Sequence, residues 1–265
     1  VVELEPSRWQ IVASFFSQQL HQLPARSVLE GKYPGKVMVD NVEAPTVALV
    51  WALGRWSYLA GSVTDGLSSS LRAAVNDILV PVQKELEREW VEIYAPDVDH
   101  WDETVRESLV DYQSERHMES TYRWNEEKYR AFRRDYSLPE GIRNELVDVP
   151  ILERYCQTSP IISEGFRIMT AVGCRISRDG ESLAQCENNG FESDRQFTIH
   201  VVTFDETQRG KGLATAASVG LLDHCLDSGL TPVWETTEYN EPSHRLALRL
   251  GFEPVEAYPV YALWW

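Results

Sequence analysis

The segment Arg209-Gly210-Lys211-Gly212-Leu213-Ala214 most constrains how this chain can fold. Before it, Gln196–Phe204 alternates as a strand does. After it, Leu213–Ser228 has helical spacing and opens with the small residues Ala214, Thr215, Ala216 and Ala217. Two glycines one residue apart let the backbone turn tightly and come close to a ligand. The helix that follows begins with unpaired N–H groups and the positive end of its dipole. Together these make an anion site suited to a pyrophosphate, with Arg209 and Lys211 adding charge at its mouth. The segment is neither a GxxxxGK[ST] phosphate loop nor a GxGxxG dinucleotide fingerprint. Asp179-Gly180 signals a hairpin upstream, so the sheet is largely antiparallel there.

The rest of the chain divides around Ser137-Leu138-Pro139-Glu140-Gly141, the best candidate linker. Before it, the pattern predicts a helix over Arg8–Leu20 and strands Lys36–Asp40, Thr46–Leu53 and Trp56–Ala60. A helix Leu67–Glu89 interrupted at Pro81 follows, then a strand Trp90–Tyr94 and a helix Asp99–Leu109 capped by Asp99. A strand Arg116–Trp124 and a helix Glu126–Asp135 capped by Asn125 complete that part. After the linker come strand Arg143–Val149, a short helix Ile151–Cys156, strands Val172–Arg178 and Ser182–Asn188, and the strand, loop and helix already described. Gly229 stops that helix. Strand Thr231–Thr237, a helix capped by Asn240 and ending at Leu250-Gly251, and strand Tyr258–Trp264 close the chain. The order of elements is nearly the same in both parts. Duplication of one architecture explains this, as does the general likeness of mixed α+β units. Trp51, Trp56 and Tyr58 read as core. The acidic run Glu85–Glu92 reads as a solvated helix face, and Glu115-Arg116-His117 points to no definite chemistry.

A formal net charge of −16, shared by both parts, disfavours nucleic acid; it suits a cationic amine, or serves only to keep the surface soluble. The four Cys have neither CxxC spacing nor a His at metal-ligand spacing, so no metal is expected. Cys174, Cys186 and Cys225 interrupt apolar patterns and read as buried thiols, which fits a reducing cytoplasm. No run is long enough to span a membrane, and Val1–Arg8 lacks a signal-peptide layout.

The string Arg-x-x-Gly-x-Ala at 209–214, followed at the right intervals by a strand with Asn240 and then by Leu250-Gly251-Phe252, resembles the GNAT superfamily of N-acetyltransferases over about residues 142–265. Ser27-Val28-Leu29-Glu30-Gly31, Val39-Asp40-Asn41, the Leu138–Gly141 junction and Tyr258-Pro259-Val260-Tyr261 resemble the two-part bacterial members that include zwittermicin-resistance-like proteins. The resemblance implies an α+β fold. A C-terminal GNAT fold (142–265), with a mixed, centrally splayed sheet flanked by helices, would follow a degenerate GNAT-like α+β domain (1–136) without a cofactor site. Ser62-Val63-Thr64-Asp65-Gly66, the counterpart of the loop, has one Gly and no basic residue.

The resemblance further implies acetyl-CoA as cosubstrate and a small-molecule primary amine as acceptor, in a monomer or homodimer. The pantetheine arm would pair with Val201, Val202 and Thr203. The pyrophosphate would meet Arg209, Gly210, Lys211, Gly212, Leu213 and Ala214, and Asn240 would touch the pantetheine or the leaving sulfur, with Ser243 beside it. An amine attacking the thioester through a tetrahedral intermediate must first be neutral. Glu235 is the first candidate to take its proton and His200 the second. Many members carry Tyr seven residues after the Asn, to protonate the thiolate. Ala247 stands there in this chain, so Tyr239, Ser243, Tyr261 or solvent could stand in. Two other readings stay open: an aminoacyl transferase of tandem-GNAT type, and a non-catalytic acyl-CoA-binding protein.

Overall fold

A computed structural model of the chain describes residues 1–17, 19–97, 101–151 and 170–265. In chain order these hold β1 (Val2–Glu3), a 3-10 stretch Pro6–Phe16, α1 (Leu23–Leu29), β2 (Gly35–Val39), β3 (Val47–Ala52), β4 (Trp56–Gly61) and α2 (Leu67–Ala74). A π-helical turn Val75–Leu79, α3 (Val80–Glu85), β5 (Trp90–Tyr94), α4 (Trp101–Ser108), β6 (Gln113–Trp124) and α5 (Glu126–Asp135) follow. Then come β7 (Arg143–Pro150), β8 (Thr170–Arg178), β9 (Glu181–Ser193), β10 (Gln196–Thr203), α6 (Leu213–Ser228), β11 (Thr231–Thr237), α7 (Glu241–Arg249) and β12 (Phe252–Trp264).

The described residues group into two compact units. One holds 1–119 and 256–265, the other 120–151 and 170–255, so the boundary falls inside β6 and inside β12. In the first unit the strand order is β1-β2-β3-β4-β5-β12. β2, β3 and β4 are antiparallel and β5 runs parallel to β4, while β12 pairs antiparallel with β5 from Val260↔Tyr94 to Trp264↔Trp90. Every residue of β3 is buried, as expected of a strand covered on both faces. Trp51 and Tyr58 are fully buried, and the Trp51 indole donates to the Gly54 carbonyl at 2.9 Å. Trp56 is half-buried, its ring under the Arg55 guanidinium.

In the second unit the order is β6-β11-β10-β9-β8-β7. β7 to β10 are antiparallel neighbours, and β11 runs parallel to β10. α6 packs on the sheet through Leu213, Ala216, Ala217, Val219, Leu221, Leu222 and Cys225, in a core with Phe197, Trp234 and Phe252. Each large apolar side chain buried there contributes roughly 1.5–3 kcal/mol. The helix lies so close to β8 that a Cβ at Gly220 would sit 2.2 Å from the Cys174 sulfur. Cys174, Cys186 and Cys225 are buried free thiols, as their apolar surroundings in sequence imply.

Both units follow the same local plan of strand, turn, helix and parallel strand. Gly66 opens α2 at φ 77° and ψ 6°, and Gly212 opens α6 at φ 80° and ψ 6°. Several elements differ from the sequence expectation. The first helix is a 3-10 stretch over Pro6–Phe16. The break in the helix after Leu67 is the π-helical turn just ahead of Pro81, because the ring cannot accept the preceding α spacing. The acidic run is not a solvated helix face throughout: the helix ends at Glu85, Glu87 turns at φ 55°, and Glu92 is buried on β5. The expected cap Asp99 and the short helix after Ile151 lie outside the described residues. Asn125 caps α5 as expected, accepting from the Lys128 N–H at 3.1 Å. Among the described residues no helix is long and apolar enough to cross a membrane.

Candidate active site

The site begins where two parallel strands part. β10 and β11 pair at Gln196↔Thr231, Phe197↔Pro232 and Thr198↔Val233, and the pairing stops there, although β10 runs on to Thr203 and β11 to Thr237. The cause lies on the other side of β10. Its ladder with β9 steps from Phe197↔Glu192 to Ile199↔Asn188, so β9 carries extra residues at Asn189-Gly190-Phe191. Gly190 takes φ 97°, and its N–H is held by the Asn188 side chain at 2.8 Å. Such a bulge bends and twists its strands. Pro232 also removes one ladder donor at the mouth of the split.

At the C-terminal end of β10 the loop is ordered by its own side chains. Asp205 accepts from the Thr207 N–H at 2.8 Å and from its hydroxyl at 2.7 Å, capping the short 3-10 turn Glu206–Gln208. The Thr207 hydroxyl and then its N–H hold the Asp205 carboxyl below the usual carboxylate range. Gly210 and Gly212 both sit in the left-handed region, at φ 78° and 80°. A Cβ at either would meet nothing within 4 Å, so the need for glycine there is conformational and the space in front is open. The first helical bond runs from Ala216 N–H to Gly212 O at 3.0 Å, which leaves the N–H groups of Leu213, Ala214 and Thr215 without a helical acceptor. Arg209 pairs with Glu206 at 3.0 Å and Lys211 with the Gln208 side chain at 3.0 Å, all at the surface. An exposed pair of this kind is worth about 0–1 kcal/mol, so both cations can turn to an incoming anion at little cost.

The remaining expected residues lie on the flanking elements. Val201, Val202 and Thr203 are half-buried on β10 beyond the parting point. Glu235 is half-buried on β11, between Trp234 at 2% exposure and Thr236 at 6%. His200 is exposed and faces Glu187, with Nδ1 3.3 Å from Oε1. Burial pushes the Glu187 carboxyl up, but the bonds from His200 and Gln185 outweigh it and hold it below its ordinary value. Asn240 caps α7, its Oδ1 accepting from the Ser243 N–H at 3.2 Å, which leaves its amide nitrogen for a ligand. The Ser243 hydroxyl oxygen accepts from the Trp234 indole at 3.0 Å, so it anchors β11 to α7. Tyr239 is 69% exposed. Tyr261 belongs to the first unit, where its hydroxyl donates to Asp102 at 2.6 Å. Ala247 is fully buried in the core.

One pair escaped the sequence reading. Tyr122 on β6 donates its hydroxyl to His244 Nδ1, and His244 Nε2 lies 3.1 Å from the Thr237 carbonyl, which assigns the proton to Nε2. These residues are 122 positions apart, so no local motif could have joined them.

The open glycine cradle at a helix N-terminus, beside two parting parallel strands, is a geometry that can hold an anion. The family model for GNAT acetyltransferase matches residues 13–261, and the chain belongs to this family. It is 21% identical to an uncharacterized N-acetyltransferase, YdfB, of Bacillus subtilis (strain 168), with 98% of this chain and 97% of the relative covered. It is similar in fold to a GCN5-related N-acetyltransferase-like protein from Streptococcus suis 89/1591, at a TM-score of 0.69 and 23% identity over 97% of this chain and 98% of the other. A tandem GNAT protein from the clavulanic acid biosynthesis pathway is also similar, at a TM-score of 0.60 and 11% identity over 98% and 97% of the two chains.

Proposed function

We propose that this GNAT N-acetyltransferase moves an acetyl group from acetyl-CoA to a primary amine of a small molecule, and that residues 142–265 carry the chemistry. The cradle at the head of α6, beside the parted β10 and β11, carries this reading. Main-chain N–H groups from Arg209 to Ala214 hold the pyrophosphate. Val201, Val202 and Thr203 offer strand-edge groups to the pantetheine, and a main-chain N–H there supports the oxyanion. Asn240 and Ser243 bound the thioester end. Acetyl-CoA supplies the activated carbonyl. Glu235 takes the amine proton, with His200 the alternative base and Tyr239 a hydroxyl at the mouth. Residues 1–136 bind no acetyl-CoA: Gly66 repeats the backbone of Gly212, but Ser62-Val63-Thr64-Asp65 offers an acidic side chain and no cation. Within the family we place the chain with the two-part, zwittermicin-resistance-like members acting in the cytoplasm.

Calorimetry with acetyl-CoA, followed by a mass-spectrometric screen of amines, tests this. Binding plus a 42 Da gain on an amine supports it. Binding without turnover across a broad panel makes the protein an acyl-CoA binder, and turnover only with charged tRNA makes it an aminoacyl transferase.

A further inference from the structure

In the first unit the strand order continues from β5 through the C-terminal part of β12 to the first part of β6. Ala262 of β12 stands directly opposite Glu92 of β5. Opposite residues in an antiparallel pair share a face, so only a methyl group stands beside Glu92 on the way to β6. His117 and Glu119 on β6 are two residues apart and so share one face of their strand. One ligand atom from each of Glu92, His117 and Glu119 lies within 4.8 Å of the other two.

The charges do not balance. Glu92 is 5% exposed and Glu119 is 4% exposed. The Arg55 guanidinium, held over the rings of Trp56 and Trp90, lies 3.1 Å from Glu92 Oε2, and the Tyr94 hydroxyl donates to the same oxygen at 2.8 Å. Both of these contacts are made at Oε2. Glu119 is the second buried carboxylate of the group. Its nearest cationic group is His117 Nε2, 3.5 Å from Oε1, and that nitrogen is itself buried without a hydrogen bond. Two buried carboxylates thus face one guanidinium, and an uncompensated buried charge is costly.

We propose that Glu92, His117 and Glu119 form a divalent-metal site in the first unit. A proton on His117 is the rival source of charge, but a charge-assisted N–H···O bond is about 2.7–2.9 Å long, well short of the 3.5 Å found. Two ligands each about 2.1 Å from a tetrahedral metal stand roughly 3.4 Å apart, which matches. One imidazole and two carboxylates suit zinc or manganese, with water completing the shell. Arg55 and Tyr94 then act as outer partners that hold Glu92 Oε2 and orient its carboxylate. The ion would tie β5 to β6 across β12. Its ligands are spread over two strands, which is why the Cys and His spacing of the sequence carries no sign of it.

The test uses the full chain, stripped with a chelator and titrated separately with zinc sulfate and manganese chloride by calorimetry, with the thermal midpoint read in parallel. The expected result is saturable binding of one of these ions near one equivalent and a higher midpoint. Glu119→Gln keeps side-chain size and should weaken that binding on the order of tenfold or more. His117→Ala should weaken it at least as much. If the wild-type chain binds neither ion, or if Glu119→Gln binds as well as wild type, the proposal is wrong. A midpoint that follows pH but ignores both ions also overturns it, because a proton then supplies the missing charge.

Discussion

Gly180 and Gly212 form a matched pair. Gly180 takes φ 85° in the β8–β9 turn and Gly212 takes φ 80° at the head of α6. Neither would bring a new Cβ within 4 Å of another atom. Alanine at either therefore costs only the left-handed strain, about 1–2 kcal/mol. In a domain of this size that lowers the thermal midpoint by roughly 2–8 °C. The two variants should consequently melt alike. They should not bind alike. A methyl at Gly212 stands in the open space before the helix N-terminus, and losing one charge-assisted N–H contact costs about 1.5–3 kcal/mol. That is roughly ten- to hundredfold in Kd for acetyl-CoA. Differential scanning fluorimetry and calorimetry on both variants decide the matter. If Gly212→Ala keeps wild-type affinity, or if Gly180→Ala loses as much, the cradle is not where the pyrophosphate sits.

Other outcomes are as specific. Glu235→Gln should lower kcat by about 10²–10⁴, the usual worth of a positioned base, while calorimetry finds acetyl-CoA affinity little changed. Asn240→Asp should keep α7 capped, since Asp caps as well as Asn, yet weaken acetyl-CoA binding by losing the amide donor; Asn240→Ala should also lower stability by about 1 kcal/mol in urea melts. Gly251→Ala should be far more disruptive than Gly180→Ala in the same melts. It adds to a φ of 85° a Cβ 2.6 Å from the Tyr129 nitrogen and 3.0 Å from the Asn125 carbonyl, inside the first turn of α5. Burial pushes the Cys174 thiol up to about 11 and the Cys225 thiol up to about 12, from an ordinary 9.0. Their folded values are raised, so the stability they lend is full below pH 9 and is lost as pH rises through 11 to 12. Urea midpoints should fall between pH 8 and pH 11, and Cys174→Ala should flatten that fall.

Local chemistry made much of this fold legible. α6 is bounded by Gly212 and Gly229, both left-handed, and its limits agree with the sequence expectation at both ends. β5 and β11 do too, each a short apolar run between turn residues. β9 runs to Ser193, beyond the expected Asn188, because Asn188-Asn189-Gly190 has turn composition while serving as a bulge inside a ladder. β12 begins at Phe252 rather than Tyr258, since Pro254 and two acidic residues hide a strand that pairing sustains. The glycine cradle was visible because a loop and a helix start are neighbours in sequence. The Tyr122–His244 pair and the Glu92–His117–Glu119 group were not, because each joins strands or helices distant along the chain, and their burial is a property of the packed sheet.

The pairing of β12 with β5 bears on how the protein is born. Residues 256–264 leave the ribosome after every other described strand, yet the sheet of the first unit needs them to cover β5 from Trp90 to Tyr94. That unit must therefore wait, with a bare hydrogen-bonding edge, until synthesis of the second is nearly done. A fragment cut after residue 119 would keep that edge and be prone to stick to other chains.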